Sequence, residues 1–134
     1  MQRHDDKITQ LLQQRAEQSA TAAMYELGLR LLFAYGSVDV FDNQTRTKIL
    51  MESTDWFRKA AEKGHGKSQL ALGEAYFHGM GVTEDKEKAV KWFHKSAEQG
   101  DFIAKWWLGE CYTNGDGVEK DLVKADWWFC ESGK

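Results

Sequence analysis

Two glutamates, Glu74 and Glu110, stand thirty-six residues apart in the same local frame, Leu72-Gly73-Glu74 and Leu108-Gly109-Glu110. Paired carboxylates are common equipment for acid–base hydrolysis, one protonated and one ionised. On neighbouring packed helices the two would lie roughly 8–10 Å apart, near the spacing of an inverting glycosidase pair. Nothing else in the chain supplies a sugar cleft, and a repeated motif explains the recurrence more simply. The histidines add no chemistry. His4, His65, His78 and His94 make no i, i+4 pair and no His-Glu-x-x-His, so no metal is expected and they read as solvated surface residues. His78 ends a helix, which places it near a partner surface. Cys111 and Cys130 straddle a turn near Gly117 with an offset of about seven residues, or about 10 Å along an antiparallel hairpin. That is too far for a disulfide, so free thiols are expected. No Gly-x-Ser-x-Gly elbow occurs, and the Gly-x-Gly turns lack the strand and third glycine of a phosphate loop. The chain reads as a non-enzyme with no cofactor.

The elements that would position these residues form a tandem repeat. Aligning Gly64–Ala97 with Gly100–Gly133 gives fourteen identities in thirty-four positions, which sets the architecture before any motif is read. Ser68/Ala104, Leu72/Leu108 and Tyr76/Tyr112 line one face of a first helix, over about Lys67–His78 and Phe102–Asn114. Gly73 and Gly109 sit inside it at a cost of about 1 kcal/mol relative to alanine, a sign of close helix approach. Gly79, Gly81, Gly115 and Gly117 turn the chain through positive φ, and Asp85 and Asp121 cap a second helix. That helix, about Asp85–Gln99 and Asp121–Ser132, carries Ala89/Ala125, Trp92/Trp128, Phe93/Phe129 and Ser96/Ser132 as a core stripe.

An earlier, divergent copy begins with a helix near Ser19–Tyr35 containing Leu27-Gly28 and closes on Trp56-Phe57. It holds nine extra residues, expected as a loop around Ser37–Thr47. Ahead of it, Ile8, Leu11 and Leu12 mark a polar helix over about Asp5–Gln18 with one apolar face, suited to capping the array. The expected organisation is one domain over residues 1–134: a cap helix at 1–18, a divergent repeat with a loop insertion at 19–63, and repeats at 64–99 and 100–134. The fold expected is an all-α, right-handed solenoid of antiparallel helix pairs.

Composition agrees with this. Hydrophobic residues make up 42 % and charged residues 29 %, the net charge is −3, and proline is absent against twelve glycines. Without a basic patch, nucleic acid is excluded as a first partner. No window reaches the length of a membrane span and no signal-peptide core opens the chain. The expected compartment is the cytoplasm, or the periplasm if a leader has been removed.

The spaced residues resemble the Sel1-like repeat family: Leu72-Gly73, Tyr76, Gly79-Met80-Gly81-Val82, Asp85, Lys88-Ala89 and Trp92, then Ala104, Leu108-Gly109, Tyr112, Gly115-Asp116-Gly117-Val118, Asp121, Lys124-Ala125 and Trp128. The resemblance implies a curved stack similar to tetratricopeptide proteins that binds other proteins. Family members are mostly bacterial adaptors in signalling, envelope and secretion systems, and some look like immunity proteins for secreted toxins. A cysteine-rich branch is linked to β-lactam hydrolysis. Its cysteine positions fall here on Ala61, Gln69, Ala97 and Lys105, so that activity does not carry over, and a hydrolase remains an outsider.

In such a stack the first helix of each pair lines the concave side, so partner contacts are expected at Arg30, Tyr35, Gln69, Leu70, Glu74, Phe77, His78, Lys105, Trp106, Glu110 and Thr113. Trp56, Trp92 and Trp128 share one repeat position and read as core. Trp106, Trp107 and Trp127 replace Leu70, Ala71 and Lys91 of the preceding repeat. Two readings stand for them: partner hot spots, or aromatic cover for the last repeat. The C-terminal edge, expected to lack a polar cap, is a candidate for homodimer formation. Within the binding class an inhibitor of a toxin and a scaffold subunit both remain open.

Overall fold

The structure is a computed structural model that describes residues 2–17, 20–37 and 43–134. The described residues form seven helices: α1 (Gln2–Glu17), α2 (Thr21–Ser37), α3 (Asn43–Glu62), α4 (Gly66–His78), α5 (Lys86–Glu98), α6 (Phe102–Asn114) and α7 (Leu122–Ser132). Each helix packs on the next in sequence. The pairs α2/α3, α4/α5 and α6/α7 are the hairpins of the three repeats, and α1 covers the first.

The pairing rests on small-to-large contact. An added Cβ at Gly73 would meet Phe93 Cδ1 and Cε1 at 2.7 Å, and Gly28 and Gly109 stand in the same relation to Phe57 and Phe129. A glycine in each first helix thus admits a phenylalanine edge from each second helix, which is why the position tolerates glycine's poor helix propensity. Leu72, Phe93, Ala89, Ala104, Leu108 and Cys111 are fully buried around these contacts. A second cluster joins Leu12 of α1 to Met24, Leu27, Trp56 and Ala60. Trp92 and Trp128, expected as core, are only half-buried. They lie at the margin, where Lys95 Nζ covers the Trp92 ring at 4.6 Å.

The turns follow the glycines. Gly79 and Gly115 end α4 and α6 in left-handed geometry, their N–H groups donating to Ala75 O and Cys111 O. Asp85 caps α5 by accepting from Lys88 N, and Asp121 caps α7 by accepting from Val123 N and Lys124 N. Gly81 serves a second purpose: a Cβ there would collide with Thr54 Oγ1 and come within 2.7 Å of Leu50 O, both on α3. The corresponding Gly117 sits against Lys86 O of α5. Each turn is thereby docked on the preceding repeat.

The expected loop insertion is different. Helices α2 and α3 run to 17 and 20 residues against 13 each for α4 and α5, so the longer helices hold the extra length. Residues 43–49 contain neither glycine nor proline, and Ile49 and Leu50 continue the buried stripe of Ser53, Thr54, Trp56 and Phe57 by one turn. Of the stretch Ser37–Thr47, residues 38–42 and the side chain of Ser37 lie outside the described residues, as does the side chain of His4.

Candidate functional site: the face of the first helices

The face shared by α2, α4 and α6 carries most of the expected contact residues, and the structure sorts them. Gln69 and Leu70 are buried, at 5 % and 9 % exposure, and leave the surface set. Leu70 faces the next repeat among Val90, Phe93 and Ala104. The Gln69 amide donates to Ala61 O at 3.2 Å and accepts from Gln99 Nε2 at 2.8 Å, while Gln99 Nε2 also donates to Gly64 O at 2.8 Å. This amide ladder joins the ends of successive repeats, and burial demands that its members be bonded. Thr113 is half-buried and donates to Gly109 O. Tyr35 lies beneath the Arg46 guanidinium, 4.9 Å from its ring centre. Arg30 is half-buried, as are Glu110 and Lys105.

Trp107 organises the middle of this face. Its ring stacks on Phe93 at 5.1 Å and 10°, with Phe77 at 4.9 Å and His78 at 5.7 Å. Its indole Nε1 donates to Glu74 Oε1 at 3.0 Å. Trp107 is therefore turned into the cleft between α4 and α6. Trp106 and Trp127 point outward, at 44 % and 55 % exposure, with Trp127 edge-on to Trp128.

Glu74 is half-buried, and burial raises its carboxyl above the usual range; the Trp107 hydrogen bond and nearby His78 oppose that rise. The carboxylate serves as a hydrogen-bond acceptor in the wall between two clefts. The other expected surface histidines take structural places too. His65 caps α4, its Nδ1 accepting from Ser68 N, and His94 lies against Trp128 at 5.5 Å. Burial lowers the pKa of both. Cys111 is buried and Cys130 exposed, both free. Burial pushes the Cys111 thiol up to about 12.

Beside Glu74 a cavity of about 240 Å³ opens between α2 and α4, over α3. Leu32, Leu50, Phe57, Ala71, Met80 and Trp107 give it apolar walls, and Glu74 and His78 supply polar groups. On α2, the helix that brings Leu32 to this cavity, Phe33 is 77 % exposed and Leu29 40 % exposed. Sequence reasoning passed over both. The signal was present: with Gly28 set against Gly73, Leu29 and Phe33 fall opposite Glu74 and His78. Among the described residues no group of three or more His, Cys, Asp or Glu side chains could hold a metal ion, and no helix is long and apolar enough to cross a membrane.

The arrangement defines a helical-repeat solenoid that presents a lined face. A family model for the Sel1 repeat matches residues 21–65, 66–101 and 103–133. The chain belongs to the Sel1 repeat family. Among solved structures it is similar to a Sel1 repeat protein from Oxalobacter formigenes, 31 % identical with a TM-score of 0.79, covering 92 % of this chain and 88 % of that one. A protective antigen of uropathogenic Escherichia coli with an SLR fold is 28 % identical with a TM-score of 0.61, covering 93 % of this chain and 32 % of that one. Helicobacter pylori cysteine rich protein B, at 23 % identity, a TM-score of 0.64 and coverage of 93 % and 88 %, shares the fold. A curated relative, the ERAD-associated E3 ubiquitin-protein ligase component HRD3A of Arabidopsis thaliana, is 34 % identical over 77 residues, which is 58 % of this chain and 10 % of that protein. The chain thus matches about a tenth of that relative's length. Sel1 repeat proteins are typically interaction modules, mostly non-catalytic adaptors, which fits a binding role here.

Proposed function

We propose that this chain is a non-catalytic docking module whose first-helix face receives a segment of another protein. The observation that carries this reading is the open cleft between α2 and α4, lined by Leu32, Leu50, Met80 and exposed His78, on a face whose α2 helix also exposes Phe33 and Leu29. Exposed aromatic groups around a partly desolvated pocket are what a binding hot spot requires. Glu74 adds an acceptor that fixes orientation, while the Ser53 and Thr54 hydroxyls in the same lining are engaged, Ser53 donating to Gly28 O and Thr54 bonded to Leu50 O and Met80 O.

Two finer roles divide the class. An immunity-type inhibitor would hold one toxin in stoichiometric complex. A scaffold would join several assembly proteins, as the name of the HRD3A relative suggests for that protein. Recovery of tagged chain from its native cells separates them, with Phe33→Glu/His78→Glu protein as the control. The reading expects the partner to be lost at least tenfold from the double variant, and equal recovery refutes it. A second copy docking on α7 is a further candidate, favoured by Leu122, Val123 and Trp127 at 57 %, 81 % and 55 % exposure. Light scattering of purified chain reads it directly, a monomer refuting it.

A further inference from the structure

The free strip of the first helices follows from their register. Gly28, Gly73 and Gly109 each turn toward a phenylalanine of the second helix. The positions two and six before each glycine, and one and five after it, lie on the opposite side. The ionisable residues at these positions are Glu26 of α2, Lys67, Glu74 and His78 of α4, and Glu110 of α6. The strip thus sets three carboxylates against one lysine, and Lys67 Nζ lies 3.9 Å from Asp101 Oδ2 at the start of α6.

Glu74 is the carboxylate that lines the 240 Å³ cavity. It accepts a hydrogen bond from Trp107 Nε1, and no lysine or arginine among the described residues forms an ion pair with it. His78, one turn on, offsets its charge in part, while Asp101 adds to the negative potential. The neighbouring cleft, between α4 and α6, brings its own cation: Lys86 Nζ lies 3.4 Å from Asp116 and 4.9 Å from the Phe77 ring centre. Thirty-six residues earlier those two charges are Leu50 and Met80, which wall the cavity.

We propose that the cleft between α2 and α4 receives one arginine side chain from a partner's docking segment, its methylenes along Leu32, Leu50 and Met80 and its guanidinium donating to Glu74. The inference rests on the reading of this face as a protein-docking surface and names the side chain that the surface selects.

The choice follows from what each guest would leave unpaired. An aliphatic or phenyl group would cover a half-buried carboxylate without giving it a donor. Phe57, which also lines the cleft, is 3 % exposed and packed against Tyr25, so it offers an aromatic guest no open ring. A cation opposes the burial that holds the Glu74 carboxyl above the usual range. Of the two permanent cations, lysine is a strongly hydrated point charge, whereas a guanidinium sheds water more readily and its fork matches a carboxylate. Trp107 takes one of about four lone-pair sites on the carboxylate, which leaves acceptors for that fork. An arginine stem also suits apolar walls. Size permits it, since an apolar cavity of about 150 Å³ already holds a benzene ring.

The experiment uses the whole, isotopically labelled chain with the N-acetyl amides of arginine, citrulline, lysine and leucine as probes. Citrulline keeps the shape of arginine without its charge. The expected result is saturable NMR shifts confined to the Ala71 and Ala75 amides and the Trp107 indole N–H, with arginine binding at least threefold tighter than each other probe. Glu74→Gln keeps an acceptor for Trp107 and removes the charge; it should weaken arginine binding at least fivefold and leave leucine binding unchanged. Ala71→Met should fill the cleft and weaken arginine binding at least threefold. A tenfold rise in salt, which needs no variant, should weaken arginine binding at least twofold and leave citrulline binding unchanged. Diffuse or non-saturating shifts, citrulline or lysine binding as tightly as arginine, or arginine affinity indifferent to Glu74→Gln or to salt would overturn the proposal. The probes need no partner. Failure here beside a partner still lost on Phe33→Glu/His78→Glu therefore rejects the arginine site alone, and intact probe binding without any partner rejects the docking reading.

Discussion

Gly73→Ala tests the packing principle on which the repeats are built. The new methyl carbon would stand 2.7 Å from Phe93 Cδ1 and Cε1 and 3.3 Å from Ala89 O. A backbone carbonyl cannot retreat within a helix, and Phe93 is fully buried and stacked against Trp107. With neither neighbour free to move, the strain falls in the upper part of the overpacked-core range, about 2–3 kcal/mol, and alanine's better helix propensity returns about 1 kcal/mol. The net expectation is a loss of about 1–2 kcal/mol, a fall of roughly 3–10 °C in melting temperature for a chain of this size. Gly36→Ala is the control, since a Cβ there meets nothing within 4 Å. It should stabilise by up to about 1 kcal/mol from the same propensity gain. Urea unfolding reads both through the midpoint, and the cycle with Phe93→Leu isolates the contact. In that background the cost of Gly73→Ala should shrink by at least half. A Gly73→Ala protein as stable as the parent, or a cost unchanged by Phe93→Leu, would refute the close-approach account.

Two further outcomes are expected. The pKa of His65 is lowered in the folded chain, so the unfolded chain binds the proton first as pH falls. Its stabilisation is therefore present above the free-imidazole value of 6.5 and is lost progressively below it, until the folded value is passed. Protonation at Nδ1 also removes the acceptor that caps α4. His65→Asn, which keeps a cap acceptor, should gain stability relative to the parent as pH falls from 7.5 to 5; parallel urea midpoints across that range would disprove it. In thiol labelling at pH 8, exposed Cys130 should react at once and buried Cys111 only at the rate of unfolding. Two fast equivalents per chain would show that α6 is not closed as described.

The scaffold was legible because each of its devices is a residue type with a local cause, repeated. Asp85 and Asp121 could be named as caps and Gly79 and Gly115 as left-handed turns from spacing alone. The site was less legible, for a geometric reason. A first helix in the stack meets its own partner helix and the repeats on both sides, so only a narrow strip of it is free. Gln69 and Leu70 fall just outside that strip, and periodicity could not fix the phase to within one residue. The sequence left Trp107, whose repeat counterpart is alanine, between partner contact and aromatic cover for the last repeat; in the structure this substitution fills the gap between α4 and α6. The cavity is the same substitution seen from the other side. The small side chain that leaves room in that cleft, Ala71, is unremarkable in a sequence.

The amide ladder and the docked glycine turns bound the helical face on both edges. Gln99 and Gln69 tie one edge to the preceding repeat, and Gly81 against Leu50 O and Thr54 ties the other. The cleft between them then behaves as a gauge of set width. On the docking reading proposed above, a cleft held at set width leaves most of the entropy lost in complex formation to the incoming segment. Encounter rates should accordingly differ little among candidate segments, and selection should be written in how long each one stays.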